Sequence, residues 1–137
     1  MPSITGQCLC GKVRYSVSAE PEMAAVCHCA DCRRHSGAAF AAVISVPKSA
    51  VSVEGPLRTF RKTGDSGRWI ERQFCPECGS SVLLEVEFSP GQTLVQIGTL
   101  DDATPYKPVA HLFCHGAALD HHSRGRSAIC ANACIVG

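Results

Sequence analysis

Seven cysteines set in three tight groups constrain this chain more than any other feature. Cys8 stands close to Cys10 and Cys75 close to Cys78, while Cys27, Cys29 and Cys32 crowd into the stretch Cys27-His28-Cys29-Ala30-Asp31-Cys32. Thiols spaced like this are metal ligands, catalytic groups or halves of disulfides, and each choice dictates which distant segments must meet. Residues 1–7 show neither the basic region nor the apolar run of an export signal, and nowhere do about 18 apolar residues follow one another, so no membrane span is expected. The expected location is the cytoplasm, where thiols stay reduced and clustered cysteines serve as ligands or catalysts rather than as a disulfide framework. Cys114, Cys130 and Cys134 lie apart from the groups and read as free or partly buried thiols.

Zinc takes four ligands tetrahedrally, and a structural site typically gathers two close pairs of cysteines. Cys8 with Cys10 and Cys75 with Cys78 form two such pairs. On extended backbone Cys8 and Cys10 point the same way. Gly11 and Gly79 follow the pairs, where the chain must turn for backbone amides to face the sulfurs. Bringing the pairs together costs loop-closure entropy that grows by only about 0.6 kcal/mol per doubling of loop length. Structural zinc supplies roughly 10 to 16 kcal/mol in small model systems, so closure by the metal dominates. The competing readings are four unliganded core thiols, or a redox dithiol at Cys75 and Cys78. A redox dithiol belongs beside a βαβ pattern, which the sequence lacks.

Cys27, Cys29 and Cys32 offer three thiolates with no fourth cysteine close in sequence. Three protein ligands plus one exchangeable position is the arrangement of a catalytic zinc, so the triplet reads as a second metal site, open to water or substrate. Two alternatives stand beside it: a closed structural site completed by His35, His111 or Cys114, and an oxidised or metal-free triplet. His28 is a poor fourth ligand because on extended backbone it points away from Cys27 and Cys29. Zinc with three thiolates carries a single net negative charge. Arg33 and Arg34 beside it would favour an incoming thiolate or carboxylate; their bland reading is a solvated surface pair.

The pattern between the clusters is that of short strands. In residues 12–18, Val13, Tyr15 and Val17 fall on one face and Lys12, Arg14 and Ser16 on the other. A short apolar run at 24–27 leads into the triplet, and further strands are expected at 40–46 ahead of Pro47, at 50–53, at 57–62 and at 93–100. The clearest follows Cys78, with Val82, Leu84, Val86 and Phe88 inward and Glu85 and Glu87 outward. Residues 31–35 fit a single helical turn stopped by Gly37. About seven or eight short strands separated by turn signals make the class mainly β. The 137 residues read as one domain, 1–137, with its core at about 6–113. Beyond Phe113 neither period survives, and 114–137 reads as a loosely held, divergent tail. A net charge of +1 gives no global attraction to nucleic acid or to an anionic membrane. Either a monomer or a homo-oligomer is compatible with this composition.

In these motifs the chain resembles the glutathione-dependent formaldehyde-activating enzyme family, which includes the domain of centromere protein V. The resemblance rests on Cys8-x-Cys10-Gly11 with Tyr15, on Cys27-His28-Cys29-x-x-Cys32-Arg33 with Ser36-Gly37 and Phe40, on Phe74-Cys75-Pro76-x-Cys78-Gly79-Ser80, and on Gly98-Thr99-Leu100-Asp101-Asp102. It implies several small coiled antiparallel sheets around a zinc ribbon, like the zinc-bound Rab-GTPase chaperones. It implies two zinc ions: a structural one on Cys8, Cys10, Cys75 and Cys78, and a catalytic one on Cys27, Cys29 and Cys32. The implied reaction is the reversible joining of glutathione to formaldehyde to give S-hydroxymethylglutathione, carbon-sulfur lyase chemistry. Relatives follow the segment matching His111-Leu112-Phe113 with a tryptophan-bearing strand that this chain lacks.

The expected mechanism places a glutathione sulfur at the open position of the triplet's metal, where coordination favours its thiolate. The thiolate then meets a small electrophilic carbonyl. Arg33 or Arg34 would hold a glutathione carboxylate and His35 would move a proton. The alternative is a zinc-stabilised binding or chaperone-like module without chemistry. A zinc ribbon for nucleic acid is disfavoured by the near-neutral charge and few aromatic residues.

Overall fold

The computed structural model describes residues 3–64 and 67–112, and the backbone of 129–131. Three strands, β1 (Ile4–Gln7), β2 (Arg14–Val17) and β5 (Val51–Glu54), form a small antiparallel sheet in the order β1-β2-β5. The others build one larger sheet from β3 (Met23–Cys27), β4 (Ala41–Pro47), β6 (Arg58–Thr63), β7 (Trp69–Phe74), β8 (Ser81–Val86), β9 (Gln92–Gln96), β10 (Ala110–Leu112) and β11 (Ile129–Ala131). Its order is β11-β10-β3-β4-β9-β8-β7-β6. All pairs are antiparallel except β3 with β10 and β10 with β11. The mainly β class therefore holds, with the strands gathered into two sheets. The single α-helix among the described residues, α1 (Ala30–Ser36), is capped at its C-terminus by Gly37 at φ 71°. No described helix is long and apolar enough to cross a membrane.

The large sheet is buried on both faces at its centre, and this divides the interior into two cores. On β4, Ile44 and Val46 face one cluster with Ile4, Val13, Tyr15, Val17, Val95 and Leu100. Ala41 and Val43, alternating with them, face another with Ile70, Leu84, Val86 and Leu94. Cys8 and Cys75 belong to the first core and Cys27 and Cys32 to the second. The two cysteine groups thus sit on opposite faces of one sheet.

A β-bulge corrects the expected alternation of β8. Gln73 pairs with Leu83 but Phe74 with Ser81, which leaves Val82 as the extra residue. Val82 and Leu83 pack together in the first core, while Leu84 and Val86 turn to the second. Phe88, expected inward, lies past the end of β8, is 39 % exposed, and has the Arg68 guanidinium 5.4 Å from its ring centre. The tail read as loosely held contains β11. Three residues are too few to show a period, and their pairing with β10 uses backbone groups that side-chain patterns do not record. Cys114 and Cys134 lie outside the described residues.

The small sheet is tied down where β1 passes the end of β9. Gly6 bridges Leu100, the Thr5 hydroxyl donates to Asp101 at 2.7 Å, and the Tyr15 and Thr99 hydroxyls are 2.7 Å apart. Tyr15 fills the space a side chain at position 6 would need: a Cβ there would stand 2.1 Å from the Tyr15 oxygen and 2.5 Å from the Thr99 carbonyl. This explains why β1 is hard to read in the sequence, since one of its two inward positions has no side chain. Gly6→Ala is expected to lower stability by about 3 kcal/mol through overpacking. Thermal unfolding should register this as a midpoint fall of about 10 °C, and an unchanged midpoint would refute the close approach.

Candidate metal and substrate site

The loop entering β2 and the loop entering β8 bring four sulfurs together. Cys8 and Cys10 Sγ are 3.5 Å apart and Cys10 and Cys75 Sγ 3.7 Å, and all four sulfurs of Cys8, Cys10, Cys75 and Cys78 lie within 4.8 Å of one another. Four thiolates about 2.3 Å from a zinc at the centre of a tetrahedron would sit about 3.8 Å apart, so this donor set fits that ion. Both loops turn through glycines at positive φ, Gly11 at 80° and Gly79 at 77°. The turns aim amides at the sulfurs: Val13 N–H donates to Cys8 at 3.3 Å, and the Lys12, Ser80 and Cys10 amides serve Cys10 and Cys78. The Ser80 hydroxyl spans the two loops, accepting from the Leu9 amide at 3.0 Å and meeting the Cys78 sulfur at 3.2 Å.

Electrostatics at this site is uneven. The Ser80 hydroxyl and amide, with the Cys10 amide, draw Cys78 down to about 5. Burial opposes ionisation of Cys8, but the Val13 amide and the Cys10 and Cys75 thiols outweigh it and hold it below the usual thiol range. At Cys10 the Lys12 amide favours the thiolate, yet burial and the neighbouring sulfurs push it up to about 11. Like charges this close cannot all form unaided, so a cation is what would let the four ionise together.

The triplet is the junction of β3 and α1. The sulfurs of Cys27, Cys29 and Cys32 lie within 4.8 Å of one another, with Cys27 and Cys32 buried. Cys29 doubles as the N-cap of α1, its Sγ accepting the Cys32 N–H at 3.3 Å. Hydrogen bonding from the Cys32 thiol, aided by Arg72, draws Cys29 down to about 6, and Cys32 is pushed up by Cys29 and by burial. Three sulfurs at this spacing fit a common ion. Cys27, however, is disulfide-bonded, whereas Cys29 and Cys32 form no disulfide. A thiolate ligand and a disulfide sulfur are exclusive states of one cysteine, so the three sulfurs could share an ion only in the reduced protein.

His28 and His111 stay out of this group. His28 Nε2 and His111 Nδ1 are 3.0 Å apart, their rings stacked at 5.3 Å between centres, with Phe40 5.7 Å from His28. His35 Nε2 instead meets Ser81 Oγ at 2.6 Å. Burial, with the nearby Arg72 charge, lowers His35 to about 4, so the ring is neutral at pH 7. Cys114 lies outside the described residues.

Beside the triplet opens a cleft of about 260 Å³ lined by Asp31, Arg34, His35, Phe60, Lys62 and Arg72. Of the three substrate-binding residues expected from sequence, Arg34 and His35 line it and Arg33 does not. The residue the sequence reading misses is Arg72, whose guanidinium lies against Cys32 and is only 3 % exposed. Its signal is positional: Arg72 shares strand parity with the buried Ile70 and so faces the core.

Residues 3–116 match the model of the family described as glutathione-dependent formaldehyde-activating enzyme, a span that includes all seven clustered cysteines. No curated protein matches the chain. Among solved structures, the chain is similar to the crystal structure of a Rhodobacter sphaeroides protein from the Northeast Structural Genomics programme. Identity is 21 % and the TM-score 0.58, over 93 % of this chain and 98 % of that one, a likeness of fold. With its cysteine clusters assembled into two potential metal centres and its family match spanning both, this chain belongs to the glutathione-dependent formaldehyde-activating enzyme family.

Proposed function

We propose that the protein joins a low-molecular-weight thiol such as glutathione to formaldehyde, or to a related small carbonyl, beside Cys27, Cys29 and Cys32. The observation that carries this reading is three cysteine sulfurs within 4.8 Å of one another at the edge of a cationic cleft, in a chain of this family. Cys8, Cys10, Cys75 and Cys78 would hold a structural zinc, and the reduced triplet a second. Bound at the triplet, zinc supplies a positive charge that keeps a thiol sulfur deprotonated at neutral pH. The protein itself provides position. The cleft holds the thiol's polar body, and the core residues behind Cys27 and Cys32 keep water from the sulfurs. In the forward direction a carbon–sulfur bond forms, the carbonyl π bond breaks, and the proton lost by the thiol ends on the new hydroxyl. No electrons are gained or lost. His35, neutral and in the cleft wall, is placed to pass that proton, with Ser81 holding its ring. The reverse direction is carbon-sulfur lyase chemistry, and the free thiols it needs suit the cytoplasm.

One observation favours a second reading. Cys27 is already joined to another cysteine sulfur. If that cysteine completes the triplet as a fourth ligand in the reduced protein, the vacancy closes and the chain is a zinc-stabilised binding module.

Reduction with a phosphine, which adds no competing thiol, followed by elemental analysis should give two zinc per chain. Cys75→Ala should lose the structural ion and unfold or aggregate, because the ion's contribution of roughly 10 kcal/mol matches a whole domain's stability. Cys29→Ala should keep the fold and one zinc; equal unfolding of both variants would make the triplet structural. Calorimetric titration with glutathione should show one site per chain in the wild type and none in Cys29→Ala, while absence of heat in the wild type would favour the binding module. His35 yields a pH prediction. Its pKa is depressed in the fold, so the unfolded chain takes up a proton first as pH falls. Stability from this group is full above about 6.5 and declines towards 4. His35→Asn should flatten that decline in urea titrations, and an unaltered slope would refute the neutral, buried ring.

A further inference from the structure

Arg72 has a charge that the fold has not fully paired. It lies 97 % out of solvent, and among the described residues its Nε and Nη2 find no hydrogen-bond partner. Removing a guanidinium from water costs several kcal/mol unless anions and acceptors replace the lost hydration. On its sulfur side it lies against Cys32. On the other side lies the cleft, where Lys62 is paired with Asp31 at 2.8 Å and Arg34 stands exposed at the rim. Three cationic side chains thus face one carboxylate, and His35, being neutral, leaves the balance positive. A low-dielectric wall focuses such a field into the cleft. At about 260 Å³ the space admits one arm of a ligand rather than a whole drug-sized molecule.

We infer that this cleft binds a carboxylate of the thiol substrate, with Arg72 as the anchor beside the sulfurs and Arg34 and Lys62 at the rim. The inference rests on the thiol-binding reading of the triplet and adds a requirement: the thiol must bear an anionic arm. Arginine suits the place because its planar fork matches a carboxylate in two parallel hydrogen bonds. The sulfur and the anionic arm would then be held from two directions, fixing the thiol before the carbonyl arrives.

Calorimetry on the reduced, zinc-loaded protein with three probes separates the parts. S-methylglutathione keeps the carboxylates and lacks a free thiol, cysteamine keeps the thiol and lacks carboxylates, and glutathione has both. Arg72→Gln should weaken glutathione and S-methylglutathione by about 10-fold or more, the range of one charged hydrogen bond, and weaken cysteamine far less. Arg72→Lys should retain part of the affinity, and Arg34→Gln, on the exposed rim, should cost about 2- to 5-fold. These two variants carry the test if Arg72→Gln fails to fold. The inference is overturned if S-methylglutathione does not bind the wild type, or if the Arg72 variants weaken cysteamine as much as glutathione. Failure of the thiol reading looks different: cysteamine then fails to bind the wild type, while S-methylglutathione binding upholds the carboxylate site.

Discussion

Four sulfurs from loops far apart in sequence are crowded within 4.8 Å of one another, two of them buried in a hydrophobic core. Without a cation this arrangement is uncomfortable, because the hydrogen bonds that favour one thiolate make its neighbour's ionisation harder. The amides of the two glycine turns are already aimed at sulfur, so the backbone is organised for anions before any ion arrives. The small sheet owes its position to this closure, to the hydrogen bond between Leu9 and Ser80, and to the contact of β1 with Leu100. Everything from β2 to β7 is held inside that loop.

The large sheet keeps the two cysteine groups apart. Its central strands are buried on both faces, so each group has its own hydrophobic surroundings. The triplet lies where a strand ends and a helix begins, and one of its sulfurs caps that helix. A ligand set built this way has little freedom to rearrange, yet it borders a cleft. The contrast between a sulfur cluster joining distant segments and one embedded in a single short motif is the structural basis for giving them different roles.

How much of this was legible in the sequence depended on what recorded it. The cysteine spacings forecast both groups, and the alternation of Val13, Tyr15 and Val17 forecast β2, because covalent spacing and side-chain periodicity are written residue by residue. The bulge at Val82 was not, since it arises from how β7 registers against β8. Arg72 was passed over because its segment carried no strand expectation and arginines are seldom buried, and only the packed sheet shows that its parity turns it inward. Arg33 stands apart from Arg34 and His35: all three follow Cys32 closely in sequence, but Arg33 does not line the cleft that the other two line. The disulfide at Cys27 ran against the expectation of reduced thiols.

Ser80 and Ser81 are consecutive, yet they serve different masters. The first braces the four-sulfur loops through Leu9 and Cys78, and the second holds the ring of His35 with help from Gln96. A single peptide unit therefore gears the ribbon to the helix. A displacement of either anchorage would strain the other through that one linkage, so the four-sulfur loops and the wall of the cleft share a hinge pin rather than standing as separate fixtures.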